Sequence, residues 1–160
     1  MYTSIMCQGI GLLLSEIPEM FHEHRALTRR RFLRGNGEHE CRFFWRETSP
    51  ILPIRVRGEL RFVRWGNWDR KSQLPVAGYT WLDSVRDGKW TELAPEIVTI
   101  VATAAYENGV WFPLRNGIQG LLVRDEREVE RVYMVCREPT RYYYVMTRAR
   151  WEPVLIGETI

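Results

Sequence analysis

The sequence predicts a strand-dominated α+β domain, and three observations carry that reading. Short runs of alternating or β-branched residues recur from Cys41 to the end of the chain. Two Asn-Gly pairs, Asn108-Gly109 and Asn116-Gly117, mark tight turns between strands. Only two segments carry a helical pattern, one near each end. At 160 residues with 45% apolar and 27% charged residues, the chain fits a single domain over 1–160 with a core of its own.

In chain order, Ser15 is placed to cap a helix with Pro18 in its first turn. Ile17, Met20, Phe21, His24 and Leu27 then share one helical face, and Gly35, Asn36 and Gly37 end it. Strands are expected at Cys41 to Arg46 and Ile54 to Val56. Arg57 and Gly58 turn the chain into another at Glu59 to Trp65. IVTIVAT, Ile97 to Thr103, is apolar at both parities and reads as a central strand buried on both sides. Val110 to Phe112 and Ile118 to Val123 follow as strands, and DEREVER, Asp125 to Arg131, as a solvated turn. Val132 to Cys136 and Pro153 to Ile156 are the last strands, with a short helix within Pro139 to Thr147.

Charge and cysteine content narrow the function classes. The formal charge of +3 is too small to identify an anionic partner, although 21 of the 23 basic residues are arginine, suited to bidentate phosphate contacts and to stacking. A high-GC genome gives the same bias. Cys7, Cys41 and Cys136 are odd in number and lack a CxxC pair, which points to a reducing, cytoplasmic setting. The apolar run Ile10 to Leu14 falls far short of the roughly 20 residues of a membrane span, so no membrane partner is expected. GxSxG, GxxxxGK and HExxH are all absent from the sequence, leaving hydrolase, nucleotidase and zinc-protease readings without support. His22, His24, His39 and Cys41 form a conceivable zinc set, but His22 and His24 are two apart on the expected helix and point to different sides.

Three segments, RFFWRE, RFVRWGNWDR and RYYYVMTRARW, interleave arginine with aromatics. Single-stranded nucleic acid is held by that mixture, guanidinium on phosphate and ring on base. A half-buried strand produces the same alternation.

Read in order, several short motifs resemble the SOS response-associated peptidase (SRAP) family, whose members begin Met-Cys-Gly-Arg. Met6-Cys7-Gln8-Gly9 has the Met-Cys start without the Gly-Arg. PIRVRGELRFVRWGNWDR, Pro53 to Arg70, looks like the family's strand pair, with a Gly-Glu-Leu turn leading to Arg-Trp-Gly and a further Trp. IVATAAYENGVWF is similar to the family's Pro-Ala-Asp-Gly-Phe-Tyr-Glu-Trp, through Ala105, Tyr106, Glu107 and Trp111. VYMVCREPT and RARWEPVLI resemble its last strands, with Pro153 and Val154 in register with a His-Asp-Arg-Met-Pro-Val segment.

The resemblance implies a curved or barrel-like mixed sheet and a divergent, phage-related member of the family. It implies a positively charged groove for single-stranded DNA and covalent capture of abasic sites in the DNA damage response, without metal or organic cofactor. Cys7 would become the first residue and offer its amine and thiol, and Glu107 would serve as acid-base. Arg64, Trp65, Trp68 and Arg70 would line the groove, with Arg148 and Arg150 adding phosphate contacts. The protein is expected to act as a monomer. Because residues 2–6 would lock the Cys7 amine in a peptide bond, native material is expected to begin at Cys7, with 1–6 a dispensable leader. Two motifs depart from the pattern. The family histidine falls at Ala149, and the Asn-Ala-Arg-x-Glu-Thr strand meets YTWLDSV. Both departures favour the alternative of a non-catalytic relative that binds nucleic acid or a protein.

Overall fold

The computed structural model describes residues 7–157, so the expected leader, 1–6, lies outside the described residues. The chain is an α+β domain of two sheets. One sheet runs β2-β3-β1-β8-β9, from Arg31–Leu33 (β2), His39–Phe44 (β3), Gly9–Leu13 (β1), Ala104–Glu107 (β8) and Val110–Pro113 (β9). The other is built from Ile51–Val56 (β4), Glu59–Trp65 (β5), Glu96–Ile100 (β7), Ile118–Arg124 (β10) and Glu130–Arg137 (β11). The order is β10-β7-β4-β5-β11, and β10 pairs again with β11, so these five strands close into a barrel. Tyr79–Trp81 (β6) and Glu152–Pro153 (β12) extend from β11. Arg25–Thr28 (α1), Leu82–Arg86 (α2) and Arg141–Thr147 (α3) are short helices. None of the described helices is long and apolar enough to cross a membrane.

Closure explains the composition of β10 and β11. Leu122, Val132 and Met134 face the main core, while Leu121, Val123, Tyr133 and Val135 pack outside the barrel with Leu74 and Trp90. A strand covered on both faces is apolar at both parities, as VYMVC is. Each large side chain so buried contributes on the order of 1.5–3 kcal/mol.

Two expectations are corrected. The long first helix is absent: two single 3-10 turns, Leu14–Glu16 and Glu19–Phe21, precede the one-turn α1, and β2 follows. Pro18 and His24 are both extended, which interrupts helical hydrogen bonding twice. The Gly35-Asn36-Gly37 stop is instead a hairpin turn, closed by Gly37 N–H to Arg34 O at 2.9 Å and Arg34 N–H to Glu38 O at 2.8 Å, that lays β2 along β3. IVTIVAT is a strand only through Ile100, and it is not covered on both faces, since Ile97 is 52% exposed. Beyond Ile100 the chain crosses between sheets, with Val101 N–H bonding Pro53 O and Thr103 N–H bonding Gly11 O.

The Arg-Trp-Gly motif is a packed corner of the barrel. Trp65 is 1% exposed and its Nε1 donates to Gly78 O at 3.0 Å. Gly66 has φ +59, and a Cβ there would stand 2.1 Å from Ala77 O, so only glycine fits. The fully buried Asn67 then holds the following loop, donating to Asp69 O and Leu74 O, both at 3.0 Å.

Candidate functional site

Cys7 and Glu107 come together where the open sheet meets α3. β1 lies between β3 and β8, with Gly9 opposite both Phe44 and Tyr106. Gln8 continues that pairing, its N–H donating to Tyr106 O at 2.8 Å and its carbonyl accepting Trp45 N–H at 3.0 Å. Cys7 is thereby fixed beside the end of β8, and its backbone N–H donates to Glu107 Oε2. Its Sγ donates to Gly9 O at 3.4 Å, and the residue is 1% exposed. Glu107 is held by the shortest possible connection, because Asn108 (φ +47) and Gly109 (φ +83) form the turn into β9 with the positive φ values such hairpins need.

A polar chain ties this corner to α3. Gln8 Nε2 donates to Asn108 Oδ1 at 3.3 Å, and Asn108 Nδ2 donates to Thr147 O at 2.9 Å. Thr147 Oγ1 donates to Tyr143 O at 2.8 Å and accepts Ala149 N–H at 3.1 Å. Ala149, the next residue but one after Thr147, is itself buried and presents only a methyl group there.

Electrostatically the site is a buried carboxyl with no cation among the groups of the described residues that act on it. Burial pushes the Glu107 carboxyl up to about 8, against the lowering effects of the Cys7 N–H and the Tyr143 hydroxyl. The Cys7 thiol is raised far above the usual thiol range, first by burial and then by the charge of Glu107. Tyr143 acts on Glu107 as a donor does, yet its Oη and Glu107 Oε1 each lack a partner of regular hydrogen-bond geometry among the described residues. A carboxyl poised near neutrality can exchange protons with a basic nitrogen beside it, which Cys7 would present only as a free amine and not as the peptide N–H described here.

The expected DNA-contacting residues divide. Trp65 is 1% exposed with its Nε1 donating to Gly78 O, so it meets the depression it shares with Arg64 and Trp68 as a buried wall and offers no open ring face for stacking. Trp68 is 54% exposed and stacks on Trp45 at 4.4 Å and 17°. Arg64 and Trp68 border one depression of about 140 Å³, and Arg70 is exposed in the same loop. Arg148 lies over the Tyr144 ring at 5.7 Å, and Arg150 is exposed two residues on. Both groups connect to Gln8, one through the Trp45–Trp68 stack and the other through Asn108 and Thr147.

Trp45 and its neighbours were not singled out as site residues, although RFFWRE contains them. Gln8, Phe44, Trp45, Arg46 and Tyr106 surround a cavity of about 170 Å³ next to Cys7, with the Arg46 guanidinium 5.0 Å from the Phe44 ring centre. The β1–β3 register puts them there, and sequence spacing does not reveal register. Tyr143 was also missed among three consecutive tyrosines. Its signal is the i,i+4 pairing with Thr147, which puts both on the buried face of α3.

The zinc set does not assemble. His24 caps α1, accepting Ala26 N–H at 3.0 Å, His22 bonds Ile17 O, and Cys41 Sγ is turned to Leu27 O. Among the described residues there is no group of three or more metal-ligating side chains. The larger depressions, of about 520 Å³ beside Trp81, Trp90 and Trp151 and about 510 Å³ beside Arg57 and Glu130, contain neither Cys7 nor Glu107. No family model, curated protein or solved structure matches the chain.

Proposed function

We propose that the protein binds single-stranded DNA and captures abasic sites covalently through Cys7. The supporting observation is the Cys7 N–H···Oε2 Glu107 contact, made between residues 100 apart that the SRAP resemblance separately pairs as nucleophile and acid-base. The chemistry requires Cys7 to carry a free amine, so the proposal includes removal of residues 1–6.

The open form of an abasic sugar is an aldehyde. The Cys7 amine, with a reference pKa of about 7.7 to 8.0, is about a tenth neutral at pH 7 and adds to the carbonyl carbon. Glu107 transfers protons as the carbinolamine forms and loses water to give the imine. The Cys7 thiol then adds to the imine carbon, and its proton passes to the nitrogen. The product is a thiazolidine, joined to the DNA with net loss of one water. Trp68 supplies a face for base stacking, and Arg46, Arg64, Arg70, Arg148 and Arg150 supply positive charge around the path to Gln8.

The test starts from protein whose intact mass shows that it begins at Cys7. Incubated with single-stranded DNA carrying one abasic site, it is expected to give a heat-stable adduct lighter by one water than the sum of its parts. Cys7→Ser is expected to give none. Absence of the adduct from the verified starting protein refutes the proposal. A second reading, reversible DNA binding without chemistry, is favoured by the methyl group of Ala149 at the histidine position and by the burial of Cys7. It predicts salt-sensitive retention of DNA and no adduct under the same conditions.

A further inference from the structure

We propose that Tyr143 is the positioning residue of the Cys7–Glu107 pair, its hydroxyl donating to Glu107 Oε1 once the carboxylate forms and leaving Oε2 directed at the Cys7 nitrogen. The inference rests on the proposed capture chemistry, and it assigns a role to a residue that the SRAP motifs do not mark.

Tyr143 is fully buried, and its Oη and Glu107 Oε1 are both buried polar atoms without a regular partner among the described residues. Two such atoms, whose groups perturb each other's titration through a side-chain hydrogen bond, cost free energy when left apart, and a small closure between them recovers it. The ring is held for this purpose. Phe112 meets it edge-on, with centroids 5.5 Å apart at 90°. Thr147 Oγ1 bonds the Tyr143 carbonyl, and Asn108, the residue after Glu107, bonds the carbonyl of Thr147. The start of α3 is fixed by Thr140, whose Oγ1 accepts Tyr143 N–H at 3.2 Å and whose own N–H donates to the buried Glu152 at 3.0 Å. Arg137 Nε in turn lies 3.5 Å from Glu152.

The titratable groups facing the phenol are Cys7 from β1, Glu107 from β8 and Glu152 from β12. None is a cation. Burial first, and then these neighbours, hold the phenol protonated, so it stays a donor and passes no proton itself. Its effect falls on Glu107. A donor to the ionised carboxylate lowers the pH at which Glu107 becomes a base, partly offsetting burial.

The test compares wild type with Tyr143→Phe, which keeps the ring. In the full chain, carboxyl-¹³C NMR is expected to show Glu107 titrating near 8 in wild type and about one pH unit higher in the variant, with Glu107→Gln identifying the resonance. In Cys7-terminal protein, where the free amine places a positive charge beside Glu107, the acid limb of the adduct-formation rate should also move up in the variant. Tyr142→Phe, at an exposed neighbour, should move neither. An unchanged Glu107 midpoint in a Tyr143→Phe protein that melts like wild type overturns the inference. If wild type forms no adduct, the capture reading falls, and the NMR comparison still decides the role of Tyr143.

Discussion

Glu107 and Asp125 are both buried carboxyls at the end of a hairpin strand, and they are treated in opposite ways. Asp125 follows β10 and accepts Arg127 N–H at 2.8 Å, Val129 N–H at 3.0 Å and Arg131 Nε at 3.0 Å. Burial acts to raise its pKa, but the backbone donors and Arg131 outweigh it and leave the group below the usual range. Glu107 ends β8 with one backbone donor and, among the described residues, no cation acting on it, and burial prevails. The number of donors, more than depth or position, separates a carboxylate that ties a turn from one able to exchange protons.

That contrast is most severely tested by neutralising each group. Glu107→Gln is expected to slow adduct formation by about 10²- to 10⁴-fold, whereas Asp125→Asn should leave the rate per folded molecule unchanged. Single-turnover kinetics at pH 7 decides this. Stability should show the reverse order. Asp125→Asn strips Arg131 of its buried partner and is expected to cost on the order of 3 kcal/mol by urea unfolding.

The pH dependence differs in sign. With its folded-state pKa raised to about 8 from 4.5, Glu107 contributes stability that is complete below pH 4.5 and is lost as pH rises through about 8. Asp125, lowered from 3.8, contributes stability that is present above that value and lost as pH falls through its folded-state pKa. Glu107→Gln should therefore flatten the decline in stability between pH 5 and 8, and Asp125→Asn should flatten the loss in acid. Denaturant midpoints measured from acid below pH 3.8 up through pH 8 separate the two.

The smallest effect on function is expected at Trp68, and it is best read against its neighbour Trp65. Trp68→Ala should weaken single-stranded DNA binding by about 1–3 kcal/mol, measured by fluorescence titration at fixed salt, with little change in stability. Trp65→Ala should instead cost about 3–5 kcal/mol of stability. Weak binding by a stable Trp65 variant would contradict the division between them.

Much of both sheets was legible because their signals are local. The Asn108-Gly109 turn, the Arg57-Gly58 turn and the apolar runs of β10 and β11 identify strands without knowledge of their partners. The first helix was misread because an i, i+3, i+4 pattern ignores what Pro18 and an extended His24 do to hydrogen bonding, and because β3 offered an edge that β2 could use. The burial of Trp65 was not legible since an Arg-aromatic alternation is identical for an open groove and a half-buried strand. Of the site, Cys7 and Glu107 came from motif order, while Tyr143 and the Trp45 cavity required the three-dimensional register.

The arrangement of β1, β8 and α3 also fixes when the reactive corner can exist. During synthesis Cys7 is made 100 residues before Glu107. Tyr143 follows later still, and β11, which closes the barrel against β5 and β10, is made after both of those strands. Under the proposed capture chemistry, the groups that would assist Cys7 are therefore assembled around it only after β8 and α3 have been made.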